Sequence, residues 1–423
     1  MLPIVVVGDG ASGVLAAVGL ADRGIGPVLM IGSSPEPGAG VAYRTCEPFH
    51  LLNSRAATMS VRESAPDDFV TWCAATGRPV PPTAFAPRRR YRGYLAARLD
   101  HTDVTVRPGR VVAVSPDGPH VLLADGGRVG ARAVVLAPGH GSPVTPPVPG
   151  LAGPRYVDDP WRDGALETVL RHESVLLLGT GLTAVDVALA IGRHRPDATV
   201  HAVSRHGLLP TGHLPDPPAA AEPPHPCGST RDLLAAVRRA CQAGADWRGL
   251  VESLRAQANG IWATLSLPER QRFLRHVDRY WQVHRHRMAP PVAHAVATMR
   301  STGALRVSAG RPERVSAERS GLAVTVRRRT VRCGVVVNCT GPGRWATGRD
   351  PLAVALRDAG LARLDSLGLG LACDEQGRLI DRYGRPLDWL WTLGPPRLGD
   401  RAETTAVPEI RAQASVLAAT VTA

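Results

Sequence analysis

The sequence predicts an α/β fold of two Rossmann-like dinucleotide-binding domains, one inserted in the other, plus a helical insertion. Three observations predict it. A β-branched run at residues 3–8 ends in glycine and passes through a glycine-rich turn into an Ala/Leu/Val-rich stretch, Ala11 to Arg23. The same grammar restarts at Glu173. At 423 residues the chain is also too long for one small core, which favours two or three domains.

The elements follow in order. Residues 3–8 form a strand, Ala11 to Arg23 a helix, and residues 27–32 the second parallel strand, which makes an opening βαβ unit. Short strands are expected near 104–114 and 119–124, with a turn at Asp117-Gly118. A further strand at 132–137 runs into Pro138-Gly139-His140-Gly141, and a proline-rich link follows from Ser142 to Gly150. In the second unit Ser174 to Leu178 is a strand, Val185 to Gly192 a helix and Thr199 to Val203 a strand. The proline-rich segment Leu214 to Pro226 reads as a loop. Two or three helices span about 229–300, with Trp247, Trp262 and Trp281 as packing anchors and a natural place for a homodimer contact. Val331 to Thr340 reads as one strand group, with Cys333 and Cys339 as buried thiols on one face. Ala406 to Ala419 is a closing helix with Pro408 in its first turn. The expected division is 1–145 with 305–423 as one nucleotide domain, and 146–304 as the other, its helical insert at about 214–300.

Composition narrows the function classes. All 50 basic residues are Arg, so no Schiff base or lysine general base can operate. The net charge of +13 is spread along the chain, with tight runs only at Arg88-Arg89-Arg90 and Arg327-Arg328-Arg329; this favours compositional bias over nucleic-acid binding. Seven cysteines without a CxxC pair argue against a disulfide scaffold, a zinc ribbon or a redox dithiol, and no metal site is expected. His284 and His286, two apart on a helix, point away from each other. No apolar run reaches the roughly 18 to 20 residues of a membrane span. The start lacks the basic region of a secretion signal, so a cytoplasmic location is expected.

Gly8-Asp9-Gly10-Ala11-Ser12-Gly13 is GxGxxG, placed directly after a strand and opening a helix. The first glycine makes the turn, the second lets backbone approach a pyrophosphate, and the third lets helix and strand pack closely. Gly8, Gly10, Ala11, Ser12 and Gly13 are therefore candidate cofactor contacts. The acidic residue that normally ends the second strand and binds ribose hydroxyls is absent. Gly32 stands there, followed by Ser33 and Ser34, so a serine hydroxyl would bond the ribose more weakly or Glu36 would reach back. Asp9 adds a negative charge near the pyrophosphate if its side chain faces inward. Gly179-Thr180-Gly181-Leu182-Thr183-Ala184 is GxGxxA in the same setting, with Gly179, Gly181, Leu182 and Thr183 as candidate contacts. Ser204-Arg205-His206 follows the next strand, where a 2′-phosphate would sit, which favours NADPH over NADH.

With two such motifs, the chain resembles the FAD/NAD(P)-binding proteins related to flavin-dependent amine N-hydroxylases and other two-nucleotide-domain flavin monooxygenases. The resemblance rests on Gly38 to Tyr43, His50 to Asn53 with Met59-Ser60, Gly179 to Asp186 and Ser204 to Pro210. It extends to Val283 to Pro290, Asn338 to Pro342 and Glu403 to Arg411. It implies FAD at Gly8–Gly13, a pyridine nucleotide at Gly179–Ala184, and a flavin ring near residues 50–60 and the closing helix. Leu52, Met59, Gly341 and Val407 are expected beside the cofactor. The helix start at Val407-Pro408 would aim free amides at reduced flavin. Asn53 is the candidate catalytic residue, hydrogen-bonding near flavin N5 or the nicotinamide; the alternative is a turn-forming Asn. For His284-Arg285-His286-Arg287, an arginine that binds an acidic group and a salt-bridged structural role both stay open.

The expected function is hydride transfer from NADPH to FAD, followed by reaction with O2 to oxygenate a small molecule, with the resemblance suggesting an amine or amino-acid nitrogen. Two alternatives stand beside it: an NADPH-dependent flavin reductase or dehydrogenase without oxygen insertion, and a non-catalytic nucleotide-binding relative.

Overall fold

The computed structural model describes all residues except 46, 220, 223–227 and 422–423. The expected loop from Leu214 to Pro226 falls partly outside the described residues.

β1 (Ile4–Val7), helix α1 (Ala11–Ala21) and β2 (Val28–Gly32) form the opening unit. All four β1 residues are buried, as a central parallel strand covered on both faces requires. β1 lies between β2 and Ala133–Leu136, and the six-stranded sheet is completed by Val104–Pro108 on one side and Pro386–Thr392 and Arg378–Ile380 on the other. Only Arg378–Ile380 runs antiparallel. The closing helix, Val407–Val421, packs on α1: a methyl group on Gly19 would sit 3.8 Å from the Ala414 Cβ.

The second sheet has five parallel strands in the order Leu305–Ala309, Thr199–Ser204, Ser174–Leu178, Val335–Asn338, Tyr156–Val157. Two of these strands lie beyond the expected boundary at 304. Leu305–Ala309 pairs with Thr199–Ser204, and Val335–Asn338 with Ser174–Leu178, so the chain leaves this sheet only after Asn338.

The expected strand Val331 to Thr340 is two strands. Arg329–Cys333 closes an antiparallel three-stranded sheet, and Val335–Asn338 joins the parallel one, with Gly334 at the break. Cys333 and Cys339 are both buried, as expected, but in different core clusters and not on one face. Burial pushes the Cys333 thiol up to about 12.

The helical region holds five helices rather than two or three: Thr230–Gln242, Trp247–Thr264, Leu267–His276, Asp278–Arg285 and Pro290–Ser301. Gly244, Pro268 and the Pro290-Pro291 pair account for three of the breaks. Trp262 is the buried anchor, its indole N–H donating to the Gly399 carbonyl at 2.8 Å; Trp247 and Trp281 are only partly buried. Among the described residues no helix is long and apolar enough to cross a membrane.

Candidate functional site

Gly8 has φ 109°, and a Cβ there would lie 2.3 Å from the Ala137 carbonyl oxygen. A Cβ at Gly13 would lie 1.9 Å from the Gly8 carbonyl oxygen. Only glycine permits this contact of turn, helix and neighbouring strand. Gly10 caps α1 without a side-chain hydrogen bond, so the first-turn amides of α1 remain available to an anion. The turn opens on a cavity of about 1410 Å3, whose wall includes Gly8, Gly10, Ala11, Ser12, Ser33 and Val407. That exceeds the roughly 300–1,000 Å3 of a typical small-ligand pocket and suits an extended dinucleotide. Gly13 stays in the packing behind it. Gly394, which follows the strand Pro386–Thr392, comes down on Ser12 and is held by Thr404, ahead of the closing helix, and Gln413, within it.

The two departures from the motif meet here. Asp9 is buried, with 8% exposure. It lies over Gly32, and its carboxylate accepts from Ser34 N–H at 2.7 Å and bonds the Ser34 hydroxyl at 3.0 Å. Glu36 is turned to Arg92, 3.1 Å away.

The second cradle repeats the first. Gly179 has φ 121°, and a Cβ there would lie 2.1 Å from the Cys339 carbonyl oxygen. Gly181 caps the helix Leu182–His194 without a side-chain bond, and a Cβ on it would meet nothing within 4 Å. Leu182 and Thr183 are half-buried in that first turn. The Ser204 hydroxyl is engaged inside the site, bonded to the Thr180 hydroxyl at 2.8 Å and accepting from Gly207 N–H at 3.0 Å. Arg205 and His206 are exposed beside it. Desolvation, and then the charges of Arg279, Arg205 and Arg311, hold the His206 pKa below its usual value. The charges of three arginines thus converge on His206.

The cradles are joined. Gly8 packs on the connection leaving Ala133–Leu136, and Gly179 on the connection leaving Val335–Asn338. These two connections pair with each other: Gly141 N–H donates to the Gly343 carbonyl at 3.0 Å, and Gly343 N–H to the Gly141 carbonyl at 3.1 Å. Gly341, with φ 99° and open space before it, lines a smaller cavity of about 290 Å3 beside this crossing. Arg88–Asp186, at 2.8 Å, and His50 to the Asp186 carbonyl, at 3.1 Å, tie the two units further.

Three expected contacts sit elsewhere. Leu52 and Met59 are core side chains, 4% and 2% exposed, and do not line the large cavity. Asn53 is half-buried and also outside its wall; its backbone carbonyl accepts from His213 Nε2 at 3.1 Å. The segment is anchored by Arg55, which donates to the Pro215 and Leu214 carbonyls at 2.8 and 2.9 Å.

Sequence reasoning missed a buried polar layer between the insert and the segment before the closing helix. Arg285 makes a two-pronged pair with Glu403 at 3.1 and 3.0 Å, so the salt-bridged reading of this arginine holds. Arg287 pairs with Glu252, while its Nε and Nη1 are buried without a partner. Burial, then the charges of Arg285, Arg255 and His140, pushes His286 down to about 3. Burial and Arg287 push His213 to about 3 as well. The only signal in the sequence was the density of charge in His284 to Arg287 and Glu403.

The class defined by this fold and site is an α/β protein with two dinucleotide-binding cradles. Residues 5–141 match a family described as FAD-NAD(P)-binding. Among solved structures the chain is similar to the ornithine hydroxylase of Pseudomonas aeruginosa, at 15% identity and TM-score 0.69, covering 99% of this chain and 98% of that one. L-lysine 6-monooxygenase from Pseudomonas syringae matches at 16% identity and TM-score 0.71, covering 100% and 99%. The ornithine N-hydroxylase of Kutzneria sp. 744, solved with reduced FAD, NADP+ and L-ornithine, matches at 16% and TM-score 0.70, covering 100% and 99%. At these identities the likeness establishes the fold. No curated protein sequence matches the chain.

Proposed function

We propose that the protein is an FAD-dependent, NADPH-oxidising monooxygenase that transfers oxygen to an amine or amino-acid nitrogen of a small molecule. The observation that carries the reading is the pairing of the two cradles. Each glycine turn rests on the connection leaving its own sheet, and the connections hydrogen-bond to one another at Gly141 and Gly343. Two nucleotides held there share one junction, as electron transfer between them requires.

The residues present fit FAD at the first cradle. The glycines leave room where a Cβ would block the turn, the amides of α1 are uncapped, and the adjoining cavity has the volume for a dinucleotide. FAD held there would supply the redox chemistry, that of a hydride acceptor from NADPH and an electron donor to O2. The chain's residues hold, orient and shield. Gly10 to Ser12 present backbone donors to the pyrophosphate. Val407 begins a helix whose N-terminus borders the cavity. Gly181 to Thr183 receive the second pyrophosphate, and Arg205 the 2′-phosphate that separates NADPH from NADH. Nitrogen as the oxygen acceptor rests on the full-length likeness to ornithine and lysine hydroxylases.

The test is an absorbance spectrum of the purified, FAD-loaded protein. The flavin band should bleach on anaerobic addition of NADPH, and far more slowly with NADH. With air, ornithine, lysine and simple diamines are then screened for hydroxylamine formation matched to NADPH consumed. Bleaching without any oxygenated product, and with all oxygen recovered as hydrogen peroxide, would reassign the protein as a reductase. A colourless protein that takes up no FAD would remove the reading altogether.

A further inference from the structure

We propose that Asp9 supplies the ribose-binding carboxylate of the first cradle, in place of the acid that the end of β2 lacks. The inference rests on the FAD reading above and deepens it. In a dinucleotide-binding βαβ unit, an acidic side chain at the end of the second strand accepts a hydrogen bond from the ribose 2′-hydroxyl. Here that position is Gly32.

The geometry shows what fills the space. A Cβ built on Gly32 would lie 2.1 Å from Asp9 Cγ and 2.3 Å from Asp9 Oδ2. A carboxyl group carried by residue 32 itself would place its carbon one or two bonds from that Cβ, roughly 1.5–2.5 Å away. The Asp9 carboxylate therefore occupies the volume that the missing side chain would have used. It arrives from the end of β1, the neighbouring strand. The two departures from the motif are one exchange: aspartate at 9 demands glycine at 32, because any side chain there would overlap it.

The carboxylate is also aimed and available. Ser34 fixes its orientation through the backbone N–H on Oδ2 and the hydroxyl on Oδ1. An ionised carboxylate has about four acceptor sites, so each oxygen keeps one for a ligand. Asp9, Gly32, Ser33 and Ser34 all border the large cavity. Glu36, the other nearby acid, is drawn off to Arg92.

The experiment measures FAD binding to apoprotein by flavin fluorescence. The probes are FAD and an FAD analogue with 2′-deoxyadenosine. The thermal midpoint of each apoprotein, followed by circular dichroism, reports its fold. For the wild type, loss of the 2′-hydroxyl should weaken binding about 10-fold, the scale of a hydrogen bond to a charged group. Asp9→Ala should weaken FAD by about 10-fold or more and bind the deoxy analogue equally. Asp9→Asn, which keeps the shape and one acceptor, should fall between. Gly32→Glu alone should bind poorly, because two side chains collide. The exchange Asp9→Gly/Gly32→Glu should recover FAD binding to within a few-fold of wild type.

Undiminished FAD binding by Asp9→Ala, or an unchanged penalty for the deoxy analogue in that variant, would overturn the proposal. So would an exchange variant that is folded yet binds no better than Gly32→Glu. Wild-type protein that binds no FAD at all would bring down the functional reading, and this one with it; FAD binding indifferent to Asp9 would bring down this one alone.

Discussion

The Arg285–Glu403 pair offers a prediction with an asymmetric sign. Both side chains are about 5% exposed, and the guanidinium meets the carboxylate through Nε and Nη2. Burial lowers the Arg285 pKa and the Glu403 charge opposes that shift, so the two buried charges compensate one another in the interior. Glu403→Gln keeps the shape and strands a buried charge, which costs about 3–5 kcal/mol. Arg285→Met strands the carboxylate and should cost a similar amount. The double variant Arg285→Met/Glu403→Leu removes both charges and should come within about 1 kcal/mol of wild type, or exceed it. The cycle therefore predicts a coupling energy of several kcal/mol, against a total stability of about 5–15 kcal/mol. Urea unfolding is the assay, with a shift of midpoint at constant slope as the signature. If the double variant is as unstable as the two single losses added together, the buried pair is not the organising contact claimed for it.

Three further outcomes are expected. Lowered to about 3 in the fold against about 6.5 when unfolded, His213 and His286 each bind a proton first in the unfolded chain. Their stabilising contribution is complete above about pH 6.5 and declines as pH falls toward 3. By pH 5 up to about 2 kcal/mol per histidine is gone, and a thermal midpoint that stays flat from pH 7.5 to 5 would contradict it. Gly179→Ala forces a methyl group to 2.1 Å from a carbonyl oxygen at φ 121°. It should leave FAD content near normal and slow NADPH-driven flavin reduction at least about 10-fold, since overpacking of about 1–3 kcal/mol falls on that turn; equal loss of both nucleotides would mean the cradles are not separable. Arg205→Ala should raise the KM for NADPH about 10-fold and leave NADH unchanged, because one exposed charge-assisted contact is lost; parallel changes for both cofactors would refute the 2′-phosphate assignment.

What was legible in the sequence was what is local. Glycine spacing, the strand before it and the apolar helix after it lie within one short segment, so both cradles could be placed from Gly8 and Gly179 alone. Partners across the sheet are not written locally. Val335–Asn338 lies in a segment that reads as strand and Leu305–Ala309 gives no such reading, but nothing in either segment says which sheet it joins, and the domain boundary at 304 misplaces both. Cys333 and Cys339 share a face only in an unbroken strand, and the break at Gly334 separates them. Leu52, Asn53 and Met59 came from resemblance rather than geometry. Their apolar members are core, where burial competes with ligand contact for the same side chain. Gly32 and Asp9 each counted against tight binding while considered singly. Side by side at adjacent strand ends, they lose that meaning.

The paired connections explain why the cradles carry glycine where they do. Each turn touches the carbonyl of the residue leaving its own sheet, Ala137 for Gly8 and Cys339 for Gly179. Each departing connection then exchanges two backbone bonds with the other at Gly141 and Gly343. A side chain at Gly343 would collide with the Ser142 carbonyl at 2.1 Å, and one at Gly141 would press on Trp345 at 3.0 Å. The crossing therefore tolerates no side chains and makes its contacts through backbone alone. Backbone bonds fix spacing more rigidly than long side chains do, because no rotamers need to be ordered. Two Rossmann units with separate cores are thus joined at this crossing through backbone atoms, alongside side-chain contacts such as Arg88–Asp186. The His50 bond to the Asp186 carbonyl also joins the same two units.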